Sequence, residues 1–354
     1  MKGSAIMNEM KKQKLGKAGK FNRFAAILLC VAVAAEALFL GGCGAGTRKR
    51  KLVVLDTDVG TDDALAFLAA GFLKNVHIDY IVTSKGNTTL DGATRNAMIL
   101  KNYLGLDAKI VRGFVTKADD KADKSEKSTF HGNDGLANIS EDMIKEMGLT
   151  SEELSDCITY DTYIKEVTQC DEIEYIVIGP AANLANSLDS KEFRKKLSKV
   201  YVMGGGINKF NCSHNTEFNF FKDPQSAKKV LCSGKDITLF PLDFTNNQRV
   251  TESQINNLEK FGTFSDYITF LRFNRQSNIK YNGIDAAVIH DIMPVLYLEY
   301  PEEFQTEEMK IEVDQYGATV KSDSGAPIKV VVSAKENLFY DTLEQIFEKY
   351  DKRR

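Results

Sequence analysis

The chain has 354 residues, 43% of them hydrophobic and 27% charged, the composition of a globular protein long enough to bury a large core. With 46 Lys and Arg against 49 Asp and Glu its formal charge is −3, which argues against a nucleic-acid-binding role. No internal repeat or low-complexity tract interrupts it, and nothing marks a second domain.

The first 42 residues differ from the rest. Lys2, Lys11, Lys12, Lys14, Lys17, Lys20 and Arg23 precede an apolar stretch, Phe24 to Leu40, and Leu40-Gly41-Gly42-Cys43 follows, the order of a secretory leader with small residues before the cut. The segment resembles a bacterial lipoprotein signal, with Cys43 as the lipidated first residue of the mature chain and residues 43–50 as a tether. The location this implies is outside the cytoplasm, anchored to the cell membrane by lipid. An uncleaved anchor is the alternative, although Phe24 to Leu40 includes Glu36 and falls short of a span of about 20 residues. Loss of residues 1–42 removes seven Lys or Arg and two Glu, taking the formal charge from −3 to −8. The cluster Arg48-Lys49-Arg50-Lys51 would then face anionic headgroups or serve as a solvated tether.

Lys51 to Leu68 reads KLVVLDTDVGTDDALAFL, which sets Asp56, Asp58, Asp62 and Asp63 between two apolar runs. Leu52 to Leu55 has the branching of a buried strand, and Ala64, Leu65, Phe67, Leu68 and Phe72 recur at helical spacing, so the acids fall at a strand-to-helix turn. Asp62 and Asp63 would suit a helix N-terminus. Capping leaves Asp56 and Asp58 unexplained, and such crowding of like charge asks for a cation or raised pKa values. Hard divalent ions take oxygen ligands of this kind, calcium about six to eight of them.

Beyond this turn, strand-like runs alternate with helical patterns, predicting a single-domain α/β fold with a mostly parallel sheet, helices on both faces and a Rossmann-like core over residues 51–354. The predicted strands are Leu52 to Leu55, Ile78 to Thr83, Lys109 to Val111, Tyr175 to Ile178, Lys199 to Met203 and Ile237 to Phe240. The turns that follow carry Ser84-Lys85-Gly86-Asn87, Gly179-Pro180-Ala181-Ala182-Asn183, Gly204-Gly205-Gly206 and Pro241-Leu242-Asp243, and in an open parallel sheet they would share one ligand-binding rim. Lys117 to Lys127 is a charged loop. Cys157, Cys170, Cys212 and Cys232 lack zinc spacing and read as small buried side chains, with a Cys157–Cys170 bridge left open.

These blocks together resemble the inosine–uridine preferring nucleoside hydrolase family. The resemblance rests on Asp56-Thr57-Asp58-Val59-Gly60-Thr61-Asp62-Asp63-Ala64, Gly86-Asn87 with Thr94-Arg95-Asn96-Ala97, His131-Gly132-Asn133-Asp134-Gly135-Leu136, and Ile178-Gly179-Pro180 with Asn183-Leu184-Ala185. Met203-Gly204-Gly205-Gly206, Glu217-Phe218-Asn219 with Asp223-Pro224, Pro241-Leu242-Asp243 and His290-Asp291 complete it in order. It implies calcium-dependent hydrolysis of the N-glycosidic bond of ribonucleosides. Asp56 would be calcium ligand and general base, Asp63 and Asp291 further ligands, and Ile178 the donor of a main-chain carbonyl. Asp62, Asn87, Asn211, Glu217 and Asn219 would hold the ribose hydroxyls, and His290 would be a candidate acid for the leaving base. A homo-oligomeric state stays open. Taken singly, the glycines, asparagines and His290 also read as turn and core residues.

The residue types suit the chemistry, since an oxocarbenium-like state asks for an activated water on one ribose face and help for the base on the other. The chain departs from the family in Ile292-Met293-Pro294, where proline usually follows the aspartate directly, and in Ala181-Ala182. It has no tryptophan, which disfavours an indole clamp on a purine. Tyr267, Phe270, Phe273 and Tyr281 could supply aromatic contacts or helix core. Two rivals remain: a haloacid-dehalogenase-like phosphatase, suggested by Val53 to Asp58, and a lipoprotein that binds nucleosides without cleaving them.

Overall fold

Strand β1 (Lys51–Thr57) is buried from its second residue onward, as its unbroken apolar run requires of a central parallel strand. Its side chains alternate: Leu52 and Val54 enter one core cluster, Val53 and Leu55 the other, so the sheet is covered on both faces. The computed structural model describes residues 50–115 and 129–351. The leader, Cys43, nearly all of the tether and the charged stretch Lys117 to Lys127 lie outside those residues.

The remaining strands are β2 (Tyr80–Thr83), β3 (Lys109–Arg112), β4 (Cys157–Thr159), β5 (Glu172–Val177), β6 (Leu197–Met203), β7 (Asp236–Phe240), the short β8 (Arg249–Val250) and β9 (Ala287–Val288), β10 (Phe304–Val313), β11 (Thr319–Lys321) and β12 (Ala326–Ala334). The main sheet runs β11-β10-β12-β7-β6-β5-β1-β2-β3-β4, while β8 and β9 pair separately. From β4 across to β12 all neighbours are parallel, and β10 alone runs against the others, pairing antiparallel with β12 on one side and β11 on the other. The fold is thus the mostly parallel, two-layer-covered sheet that the sequence predicts. Chain order reverses between β1 and β5, the switch point at which open α/β sheets bind ligands.

The helices that shape this point are α1 (Asp63–Phe72), α2 (Leu90–Leu104), α3 (Tyr160–Val167), α4 (Ala182–Ser187), α5 (Phe218–Lys222), α6 (Pro224–Leu231), α7 (Ser265–Asn282), α8 (Ile292–Glu299) and α9 (Leu338–Asp351). Residues of α1, α2, α7, α8 and α9 share the cluster with Val53 and Leu55. Those of α3, α4 and α6 share the cluster with Leu52 and Val54. Strands β4 and β10 to β12 were not among the predicted ones. β4 is a three-residue edge strand, and β10 has mostly exposed polar positions, so neither offers a period-two apolar signal. Ile78 and Asp79 precede β2 rather than starting it, with Asp79 Oδ2 accepting from Val53 N–H at 2.9 Å.

Phe67 lies in α1, fully buried in the core cluster that holds Val53 and Leu55. Phe67→Ala should therefore cost about 3–5 kcal/mol of stability, measured by denaturant unfolding. A loss under about 1 kcal/mol would contradict this packing.

Candidate active site

Burial and crowding of acids define the site. Asp58, Asp62, Asp63 and Asp291 are all buried, and one oxygen from each of Asp62, Asp63 and Asp291 lies within 4.8 Å of the others. Asp63, at the start of α1, accepts from the Gly60 N–H at 2.7 Å, the Thr57 hydroxyl at 2.5 Å and Asn87 Nδ2 at 3.0 Å. Asp58 accepts from the Asn87 N–H at 2.6 Å and from Asn87 Nδ2 at 3.2 Å, so one asparagine ties Asp58 to Asp63. Asp62 is the N-cap residue of α1, yet its side chain makes no capping bond, and its Oδ1 is buried without a hydrogen-bond partner among the described residues. The capping explanation therefore fails for Asp62.

Burial is the first cause of every pKa shift here, and neighbouring carboxylates add to it. Asp63 is pushed up to about 6 by burial and then by Asp62, while Asp58 and Asp291 stand well above the usual carboxylate range for the same two reasons. Asp62 is also raised by burial, with the opposing pull of His290 reducing the effect. The donor set, all hard oxygen with one buried oxygen unsatisfied, fits a divalent cation of the calcium or magnesium kind.

Asp56 does not join this cluster. Its position in β1 matches the alternation of Leu52 and Val54, so its carboxylate points to the sheet face opposite α1. There it accepts from Asn183 Nδ2 at 2.8 Å and from the Tyr175 hydroxyl at 3.1 Å, and burial pushes it up to about 7. Asp58 lies beyond the strand's last ladder pair and turns to the rim instead. The expectation for Asp56 is corrected on this geometry, and Asp58 is the acid that faces Asp62 and Asp63.

A cavity of about 550 Å³ opens over the cluster, and Asp62 and Asp291 form part of its wall. Asn87, Ile178, Asn211, Glu217, Asn219 and His290 line it too, so the other expected residues gather here, with Asp63 beneath. Glu217 caps α5 and accepts from the N–H groups of Asn219, Gly205 and Phe220 at 2.9, 3.0 and 3.1 Å. Asn219 Nδ2 donates to the Ile178 carbonyl at 2.9 Å, which leaves that oxygen a second lone pair. His290 Nδ1 lies 2.9 Å from the Thr245 hydroxyl, and burial lowers its pKa against the pull of Asp62.

His131, a motif residue to which sequence reasoning assigns no role, also lines the cavity. Its Nδ1 accepts from the Thr61 N–H at 3.2 Å, so the neutral ring carries its proton on Nε2, and burial pushes its pKa down to about 4. Of the aromatic candidates, Tyr267 and Phe270 are fully buried core and Phe273 packs against it. Tyr281 alone reaches the cavity, its hydroxyl 2.8 Å from that of Thr129 and its ring 6.0 Å from Phe130. The four described cysteines are free, so Cys157 and Cys170 are not bridged.

The backbone resembles that of solved nucleoside hydrolases. A plant nucleoside hydrolase, PpNRh1, superposes with a TM-score of 0.72 at 22% identity, over 85% of this chain and 99% of that one. A purine-preferring ribonucleoside hydrolase from Gardnerella vaginalis gives 0.71 at 21%, over 86% and 100%. In sequence, the chain is 27% identical over 324 residues to the pyrimidine-specific ribonucleoside hydrolase RihB of Escherichia coli O157:H7, covering 86% of this chain and 99% of that one. The sequence profile described as inosine-uridine preferring nucleoside hydrolase matches residues 53–341. The chain belongs to this family and is an enzyme of its class, a hydrolase of N-glycosidic bonds. Neither the phosphatase nor the binding-only alternative is favoured.

Glu217 supplies a pH test. Burial raises it from 4.5 to about 7 despite its three N–H donors. The folded state thus holds its proton more tightly than the unfolded chain does, and the resulting stability is full below 4.5 and lost as pH rises through about 7. Glu217→Gln cannot titrate, and its amide nitrogen cannot accept from the backbone. It should melt below the wild type at about pH 5, with the gap in Tm narrowing by about pH 8. A gap that stays constant would contradict the raised pKa.

Proposed function

We propose that the protein hydrolyses ribonucleosides to ribose and free base, using a calcium ion held by Asp58, Asp63, Asp291 and the Ile178 carbonyl. The observation that carries this reading is the crowding of Asp58, Asp62, Asp63 and Asp291 under one wall of a cavity whose other groups suit a ribose and a base. When bound, the ion would offset the carboxylate charge, orient a water and the ribose hydroxyls, and lower that water's pKa. Asp58, with its raised proton affinity, then takes the role first expected of Asp56 and accepts the proton from the attacking water. Asp62 presents its unpartnered oxygen to a ribose hydroxyl, and Asn87, Asn211, Glu217 and Asn219 surround the sugar. Such polar contacts turn binding energy from the unreactive part of the substrate into alignment of its C1′ atom.

On the base side, His290 and His131 are neutral near pH 7, because burial lowers both. His131 offers its Nε2–H, and either ring can steady the charge that develops on the departing base. Lipid anchoring at Cys43 is part of the same proposal, supported by Leu40-Gly41-Gly42-Cys43 behind a basic and apolar leader. Among the described residues no helix is long and apolar enough to cross a membrane.

Release of free ribose from uridine and inosine tests the reading, and absence of ribose from both would defeat it. Within that assay, Asp58→Asn should lower kcat by about 10²–10⁴-fold while Asp56→Asn stays within about tenfold of the wild type. A folded Asp56→Asn enzyme as inactive as Asp58→Asn would return the basic role to Asp56.

A further inference from the structure

The turn between β10 and β11 belongs to the antiparallel edge of the sheet, yet it touches the wall that carries Asn211 and Glu217 at three points. The Thr319 hydroxyl accepts from the Gly206 N–H at 3.3 Å, just ahead of the loop that bears Asn211. Gly317, at φ +95°, packs against α5, where a Cβ on it would stand 2.3 Å from the Phe220 carbonyl oxygen. Tyr316 stacks its ring on that of His214, with centroids 4.5 Å apart and planes 10° from parallel. The turn is itself fixed, because Asp314 Oδ1 accepts from the N–H groups of Tyr316 and Ala318, both at 2.8 Å.

The loop that His214 belongs to is tight and strained. The N–H groups of Asn211 and Cys212 both donate to the Thr216 carbonyl at 3.1 Å, and the Thr216 hydroxyl donates to the Ser213 carbonyl at 2.6 Å. At its tip His214 and Asn215 take φ of +58° and +56°, two successive non-glycine residues in the left-handed region. Such a turn persists only when its surroundings hold it. The stack is no part of the core, since His214 is exposed and Tyr316 is 47% exposed. What it fixes is the tip of a loop that presents Asn211 and Cys212 to the cavity and leads directly into Glu217.

We propose that Tyr316 is a positioning residue for the sugar: through His214 it clamps the loop 211–216, so that Asn211 meets a ribose hydroxyl beside Glu217. The sugar role rests on the ribonucleoside reading, whereas the clamp on the loop does not. Tyr316 acts through Asn211 and not alongside it, so losing both is no worse than losing Asn211. An aromatic ring at this position is what the clamp requires, and the Tyr316 hydroxyl is dispensable.

Two measurements test this. The first needs no substrate. Burial pushes the Cys212 thiol up to about 11, which slows its alkylation while the loop is held. Labelling of Cys212 by iodoacetamide is read by mass in the tryptic peptide 210–222, which contains no other cysteine. It should run about threefold or more faster in Tyr316→Ala than in the wild type, and at the wild-type rate in Tyr316→Phe. Equal rates in all three would overturn the clamp. The second compares kcat/KM for uridine in the wild type, Tyr316→Ala, Tyr316→Phe, Asn211→Ala and the double variant Tyr316→Ala with Asn211→Ala. Tyr316→Ala should lose about three- to tenfold, Tyr316→Phe should match the wild type, and the double variant should stay within about twofold of Asn211→Ala. Additive losses, an unimpaired Tyr316→Ala enzyme or an unimpaired Asn211→Ala enzyme would overturn the sugar role. Faster labelling of Tyr316→Ala in a protein that releases no ribose from uridine or inosine would overturn the ribonucleoside reading, and the sugar role with it, while the clamp stood.

Discussion

Repulsion among Asp58, Asp62, Asp63 and Asp291 is the constraint to which the rest of the site responds. All four are buried, and the charges of Asp58, Asp62 and Asp63 each raise the pKa of at least one other member. In a low-dielectric space such a group must hold protons or share a cation. Hydrogen bonds from Asn87, Thr57 and Gly60 relieve part of the charge, yet Asp62 Oδ1 finds no hydrogen-bond partner among the described residues. The turn itself carries strain. Val59, a β-branched residue, adopts φ +40° between Asp58 and Gly60, a conformation that costs on the order of 1–3 kcal/mol and that packing must sustain.

The sheet supplies that packing. Reversal of strand order between β1 and β5 opens the crevice in which the loops after β1, β2 and β5 converge. Close approach of those loops needs glycine at one point above all: a Cβ on Gly86 would lie 1.9 Å from Asp58 Oδ2. Asn219 then spans the gap from α5 to the Ile178 carbonyl, which ties the proposed sugar wall to the end of β5. Another part of the cavity wall is built from the end of α7 and the residues around Phe130, tied together by the Ser277 hydroxyl donating to the Phe130 carbonyl at 2.6 Å.

Much of this was legible in the sequence because it lies in short motifs at strand ends. The parallel strands gave apolar runs, their turns gave glycine and acid, and Asn87, Asn211, Glu217, Asn219 and Asp291 fell together as expected. Asp56 misled because a linear motif does not reveal facing. Only period-two alternation continued through the end of β1 separates it from Asp58, and that signal was present in Leu52 to Asp56. The antiparallel edge was hidden by the polar surface of β10. His131 could not be read, since its place depends on the Thr61 N–H, 70 residues away in the chain.

The account stands on one cation balancing the buried carboxylates. Equilibrium dialysis of the chelator-treated protein against calcium in the presence of equal magnesium, followed by elemental analysis, measures this directly. One calcium ion retained per chain is the expected result, because a flexible shell of many oxygens favours calcium over magnesium. Protein that retains neither ion would contradict the account.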